Sequence, residues 1–251
     1  MNIDLNCDMG ESFGAYSIGA DETLMPLITS ANIACGFHAG DPRVMQRTVQ
    51  LAIQHGVAIG AHPGFRDLEG FGRRVIDATP DEIESDVLYQ IGALDAFARA
   101  AGKKLMHVKA HGALYNLAVI KPAIARAIAR AVVSFDSSLV FVGLAGSSML
   151  DVARELGLRV AREGFCDRAY TPDGKLMSRR EPGSLIDDPQ RAARQALQIV
   201  IEQTVDASNG EKIPMTVDTL CIHGDSPNAP AIARAVREML EKNGVNVRSL
   251  A

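Results

Sequence analysis

The chain has 251 residues, 47% of them hydrophobic and 22% charged, and a formal net charge of -4. Such a chain suits one α/β barrel or two small domains, with a core that needs neither metal nor disulfide to fold. The numbers exclude the basic balance of a nucleic-acid binder, and no apolar run reaches the ~18 residues of a membrane-spanning helix.

Met1-Asn2-Ile3-Asp4 lacks the basic start and apolar run of a signal peptide, which predicts a cytoplasmic protein. Cys7, Cys35, Cys166 and Cys221 form no C-x-x-C and are expected as reduced, buried thiols.

Short apolar runs alternate with longer segments of helical period. A first strand over 3–7 is followed by Asp8 and Glu11. A second over 32–35 runs into Gly36-Phe37-His38-Ala39-Gly40-Asp41. Asp41 and Pro42 then open a helix that Gly56 stops after His55. A third strand over 57–61 delivers His62-Pro63-Gly64, and a long loop over 65–74 follows. Thr79-Pro80-Asp81-Glu82 starts a helix that ends near Gly102.

A fourth strand over 105–109 ends on Lys109-Ala110-His111-Gly112, and a helix is expected over 122–133. The fifth strand, 139–142, leads through Gly143–Ser147 into a helix over 148–156. The sixth, 158–161, is followed by Glu163, and then by Asp167 and Arg168 in a second long loop, 164–186. A helix over 189–203 precedes the last strand, 219–222, which ends on His223-Gly224-Asp225. The final helix runs over 230–242.

The strands read as apolar with little polar alternation, as in a parallel sheet buried on both faces. About seven βα units in a chain of this size predict a TIM-like (β/α) barrel spanning 1–251. A doubly wound open sheet is the alternative, weakened by the lack of G-x-G-x-x-G after any strand. Walker A and G-x-S-x-G sequences are absent too.

Four of the six His residues fall at strand C-termini: His38, His62, His111 and His223. In a parallel barrel those ends meet on one face, where barrel enzymes keep their chemistry. Any one of these imidazoles could be a hydrogen-bonded structural residue. Four at equivalent places point to a shared pocket. Asp8 and Asp225 could cap turns, and Asp41 caps its helix. Lys109, ending an apolar strand, must point into the barrel mouth or find a partner. His55 fits a helix-dipole role and His107 a packing role. Arg73 and Arg74 could hold a carboxylate or phosphate. Asp8, His38 and His62 are of the types that zinc accepts, but no residue is assigned to a metal.

These strand-end segments resemble the LamB/YcsF family along nearly the whole chain. The carriers are Asp4-Leu5-Asn6-Cys7-Asp8-Met9-Gly10-Glu11, Asn32-Ile33-Ala34-Cys35-Gly36-Phe37-His38-Ala39-Gly40-Asp41-Pro42 and Gly60-Ala61-His62-Pro63-Gly64. Further along come Gly70-Phe71-Gly72-Arg73-Arg74, Val108-Lys109-Ala110-His111-Gly112-Ala113-Leu114-Tyr115-Asn116, Glu163-Gly164-Phe165, Asp167-Arg168-Ala169-Tyr170 and Ile222-His223-Gly224-Asp225. Cys166 stands where the family often has Ala.

The resemblance implies a barrel similar to those of glycoside hydrolases and polysaccharide deacetylases. It also implies the A subunit of a 5-oxoprolinase, which opens 5-oxoproline to glutamate with cleavage of ATP, in company with separate B and C subunits. The residues expected to carry the reaction are Asp8, His38, His62, Lys109, His111 and His223. Glu11, Arg73, Arg74, Glu163 and Asp225 are expected to bind ATP or substrate. Two rival readings remain open: a metal-dependent deacetylase or amidohydrolase, and a non-catalytic scaffold subunit.

Overall fold

Ile3, Leu5, Cys7 and Met9 alternate with Asp4, Asn6 and Asp8 along β1 (Asn2–Met9), and this alternation separates the outside of a barrel from its inside. The computed structural model describes residues 1–226 and 228–250. Further parallel strands are β2 (Ser30–Ala34), β3 (Ala58–His62), β4 (His107–Lys109), β5 (Val140–Leu144) and β6 (Arg159–Phe165). After a small antiparallel pair, β7 (Thr204–Asp206) and β8 (Lys212–Pro214), comes β9 (Thr219–Ile222). β9 pairs with both β6 and β1, in register Asn6 to Cys221 on the β1 side, and closes a parallel barrel of seven strands. The short β10 (Asn246–Val247) lies beside the start of β1.

The helices are α1 (Asp21–Leu24), α2 (Pro42–His55), α3 (Pro80–Ala100), α4 (Gly112–Ile120), α5 (Pro122–Asp136), α6 (Ser148–Glu155), α7 (Pro189–Leu197) and α8 (Ala229–Lys242). Local chemistry sets their ends. The Asp41 carboxylate accepts from the Arg43 and Val44 N–H groups, and Gly56 ends α2 in the left-handed region at φ 68°. Thr79 and Glu82 form a reciprocal capping box on α3. Asp188 caps α7. The outward side chains of the strands, such as Leu5, Met9 and Ile33, are fully buried beneath the helices. Each such burial contributes about 1.5–3 kcal/mol.

Three features differ from the sequence reading. α4 has no counterpart in it: this helix buries Ala113, Leu114, Tyr115, Ala118 and Val119 against α5 and α6, and it is too apolar to show a one-sided stripe. β6 runs on to Phe165, so Glu163 sits within a strand. The helix expected over 189–203 changes at Gln198 into one π-helical turn, Gln198–Glu202. The four cysteines are free and buried, as expected. Among the described residues, no helix is long and apolar enough to cross a membrane.

Candidate active site at the barrel mouth

A closed parallel barrel is ordinarily filled by branched apolar side chains. On the β5–β6 side this holds, where Val140, Val142 and Ala161 form their own cluster. Across the barrel, β1, β2 and β9 build a polar column instead. At its foot Asp4 accepts from the hydroxyls of Thr29 (2.7 Å), Ser30 (2.7 Å) and Thr219. Asn6 Nδ2 donates to Thr219 Oγ1 at 2.7 Å, and Asn6 Oδ1 accepts from Asn32 Nδ2 at 2.8 Å. Asn32 Nδ2 also donates to Asp8 Oδ1 at 2.9 Å, and Asn32 Oδ1 accepts from His107 Nε2 at 2.8 Å. The His107 ring fits only because β3 carries Gly60 beside it: a Cβ there would fall onto the ring.

Lys109 stands at the top of this column, almost sealed from solvent. Its Nζ donates to Asp8 Oδ1 at 3.1 Å and Asn6 Oδ1 at 3.2 Å, and lies 3.1 Å from Cys221 Sγ. Glu163 Oε1 is 2.8 Å away, an ion pair set off the angle of a hydrogen bond. The other Glu163 oxygen accepts from the Tyr115 hydroxyl at 2.7 Å. Burial opposes charge on Lys109, but Asp8 and Glu163 outweigh it and hold the ammonium well above the usual lysine range. Burial likewise opposes ionisation of Asp8, and the neighbouring His62 and Lys109 prevail, holding its carboxyl well below the ordinary value.

Three imidazoles come from three consecutive strands: His38 from the loop after β2, His62 from the end of β3 and His111 from just beyond β4. His62 Nδ1 is 2.7 Å from the Lys109 carbonyl oxygen, and His111 Nε2 is 2.8 Å from that of Phe71. A carbonyl only accepts, so each of those nitrogens carries a proton. The remaining nitrogens, His62 Nε2 and His111 Nδ1, face each other at 3.0 Å. Asp8 Oδ2 lies 3.3 Å from His62 Nε2.

The His38 ring stacks on His111 with centroids 3.8 Å apart and planes 3° from parallel. Both His38 nitrogens are buried without a hydrogen-bond partner among the described residues. Such an orphaned buried polar atom costs about 1–3 kcal/mol. Burial, then the other two imidazoles, pushes His38 well below the ordinary histidine value, and burial drives His111 down to about 3. Glu11 Oε1 lies 4.0 Å from His111 Nδ1. Burial and the Asp8 charge push the Glu11 carboxyl well above its usual range.

One donor atom from each of Glu11, His38, His62 and His111 lies within 4.8 Å of the others, a buried set that could bind a metal ion. A second trio, Asp8, Cys221 and His223, also converges. There the Lys109 ammonium already contacts two of the three. Gly72 closes the back of the cluster: its φ is +62°, and a Cβ would come within 2.7 Å of both His111 and His38. Phe71 beside it has φ 55°, and its carbonyl is the acceptor for His111.

At the rim, His223 is clamped by Asp167, which accepts from its backbone N–H and its Nδ1, each at 2.8 Å. Asp225 pairs with Arg73 at 2.5 Å and has Arg179 at 3.7 Å. Arg74 is held by Asp67, away from that pair. Buried Arg168 donates to the carbonyls of Ser184 and Met177, and burial with the nearby Arg179 charge lowers it to about 10.

Asp8, Glu11, His62, Arg73, Arg74, Lys109, His111, His223 and Asp225 all line one cavity of about 610 Å³. His38 lies behind His111, and Glu163 pairs with Lys109; neither is part of that lining. Sequence reasoning missed Asn6, Asn32 and His107 as a connected network, Tyr115 as the partner of Glu163, and Arg179 at the rim. The signal for the network was the period-two run Asp4, Asn6, Asp8, which departs from the uniformly apolar strands expected.

A family model described as LamB/YcsF matches residues 3–251. A protein of Symbiobacterium thermophilum, named as the A subunit of 5-oxoprolinase, is 58% identical over 245 residues, covering 98% of this chain and 94% of that one. Its namesake from Methylococcus capsulatus is 56% identical over 248 residues, covering 99% and 95%. A crystal structure titled lactam utilization protein, from Thermus thermophilus, is 54% identical and superposes with a TM-score of 0.95, covering both chains completely.

Proposed function

This chain belongs to the LamB/YcsF family, and from that premise we propose that it is the A component of an ATP-dependent 5-oxoprolinase. It acts with separate B and C components, in the cytoplasm, to convert 5-oxo-L-proline to L-glutamate, with ATP cleaved to ADP and phosphate. The observation that carries this reading is the high identity, over nearly the full length of both chains, to proteins that bear the name of the 5-oxoprolinase A component. The cavity is also large enough for a small lactam acid and is lined by acid, base and cationic groups.

A five-membered lactam is a resonance-stabilised amide and resists attack by water. In this reading its oxygen takes the γ-phosphoryl group of ATP, releasing ADP and leaving an activated ring carbon. One water adds to that carbon, the ring C–N bond breaks as nitrogen takes a proton, and a second water completes phosphate release. Asp8, ionised and beside His62, suits removal of the water proton. His62 suits that part better than His38, because His62 opens on the cavity. Lys109 suits stabilisation of developing negative charge, whereas His111, whose proton is held by the Phe71 carbonyl, does not. Arg73 suits the substrate carboxylate, which would compete with Asp225 for its guanidinium.

The test is glutamate release from 5-oxoproline and ATP by the three components together. Release that depends on this chain and falls at least a hundredfold with Asp8→Asn supports the reading. Release at the same rate without the chain rules it out. The Glu11, His38, His62 and His111 cluster favours a second reading, metal-dependent amide hydrolysis without ATP. Deacetylation that needs no ATP and stops with a chelator would establish it instead.

A further inference from the structure

We propose that Glu11, His62 and His111 form a binding site for one divalent cation of the zinc class, with His38 as a fourth donor held against it. The Lys109 and Phe71 carbonyls fix the protons of His62 and His111 on the sides away from each other. Both inner nitrogens therefore present lone pairs, and they meet at 3.0 Å. Two lone pairs at that distance repel unless something positive lies between them. Metal-bound imidazoles have this arrangement: the far N–H is anchored on a carbonyl or carboxylate, which fixes the tautomer and aims the ligating nitrogen.

The occupant is either a proton or a metal ion. A proton shared by the two nitrogens would satisfy His62, His111 and Asp8. It would leave Glu11 and His38 as they stand: a buried carboxylate whose ion-pair contact among the described residues is a nitrogen 4.0 Å away, and a buried ring with two unpartnered nitrogens. A metal ion recruits both. Two nitrogens 3.0 Å apart, each about 2.0–2.1 Å from an ion, subtend about 90° at it. Glu11 completes the set by moving inward.

His38 requires one adjustment. Its ring is parallel to that of His111, so an ion in the plane of His111 lies off the plane of His38. A tilt of the His38 ring brings a nitrogen to it. The Lys109 ammonium does not fill this place, because it contacts Asp8 Oδ1, whereas His62 faces Oδ2. Asp8 thus stands between the two positive centres. With the ion seated, His62 is a ligand, and Asp8 remains the adjacent base.

This inference is independent of the lactam reading, since its test measures metal uptake and not turnover. The full chain is stripped with a chelator and dialysed against Zn²⁺, and bound metal is counted by elemental analysis. One equivalent is expected. Glu11→Gln and His111→Asn should each weaken uptake at least tenfold, and His55→Asn, on the exposed end of α2, should not. As a check free of variants, Zn²⁺ should shift the ring-proton resonances of His38, His62 and His111 in the wild-type chain and leave His55 unmoved. No stoichiometric uptake by the wild-type chain would overturn the proposal. So would uptake unchanged in both variants, or resonance shifts confined to other histidines.

Discussion

The Lys109 ammonium lies 2.8 Å from Glu163 Oε1, with both groups withdrawn from solvent at the top of the barrel's polar column. Three charges, those of Asp8, Lys109 and Glu163, thus share one low-dielectric space. Removing the cation leaves two buried carboxylates without their partner. Lys109→Ala is therefore expected to cost about 3–5 kcal/mol of stability. Denaturant unfolding measures it, and a loss below about 1 kcal/mol would show that solvent or rearrangement compensates the carboxylates. Glu163→Gln keeps an acceptor for Tyr115 and should cost less.

Gly60 is a packing requirement of the His107 ring. Gly60→Ala forces that ring off its bond to Asn32. Overpacking costs about 1–3 kcal/mol, to which the lost bond adds. The melting temperature is expected to drop by about 2–4 °C for each kcal/mol. An unchanged melting temperature would show that the strand yields at no cost.

Asp167 supplies an acid limb to the stability curve. Burial opposes its ionisation, but the interactions with His223 outweigh burial and hold its carboxyl below the ordinary value. A carboxyl lowered by folding contributes stability that is complete above its unfolded pKa of about 3.9 and is lost as pH falls through the folded value. Asp167→Asn should lower stability at neutral pH and flatten the decline below about pH 4. Equal slopes in the two proteins on that limb would rule out Asp167 as its source.

Arg73 and Arg74 are neighbours in sequence with different surroundings. Arg73 reaches Asp225 at the cavity rim, whereas Arg74 is held by Asp67. If Arg73 holds the substrate carboxylate, Arg73→Ala removes a charge-assisted hydrogen bond of about 1.5–3 kcal/mol, which is about a 10- to 150-fold rise in KM for 5-oxoproline. Arg74→Ala should change KM less than twofold. The reverse ranking would assign the carboxylate to Arg74.

Much of the architecture is local chemistry and was legible in order along the chain. Asp41, Gly56, Thr79 with Glu82, and Gly157 mark helix ends through bonds or dihedral angles spanning only a few residues. The strand-end placement of Asp8, His62, Lys109 and His223 followed from the same alternation of strand and helix. α4 escaped because a helix apolar on all sides has no stripe to detect. The polar interior escaped because Asp4, Asn6, Asn32, His107 and Thr219 each look tolerable alone.

Which residue types stand at the ends of which strands is thus written along the chain, because caps and periods are set by near neighbours. Which of those side chains meet is a matter of the closed barrel. Barrel closure through β9 and β1 sets the register that places Thr219 against Asp4 and Cys221 beside Lys109. The protonation pattern of His62 and His111 is decided by two carbonyls, those of Lys109 and Phe71, that lie 47 and 40 residues away in sequence. A hydrogen bond depends on distance and angle in space, and no local pattern carries that information across such separations.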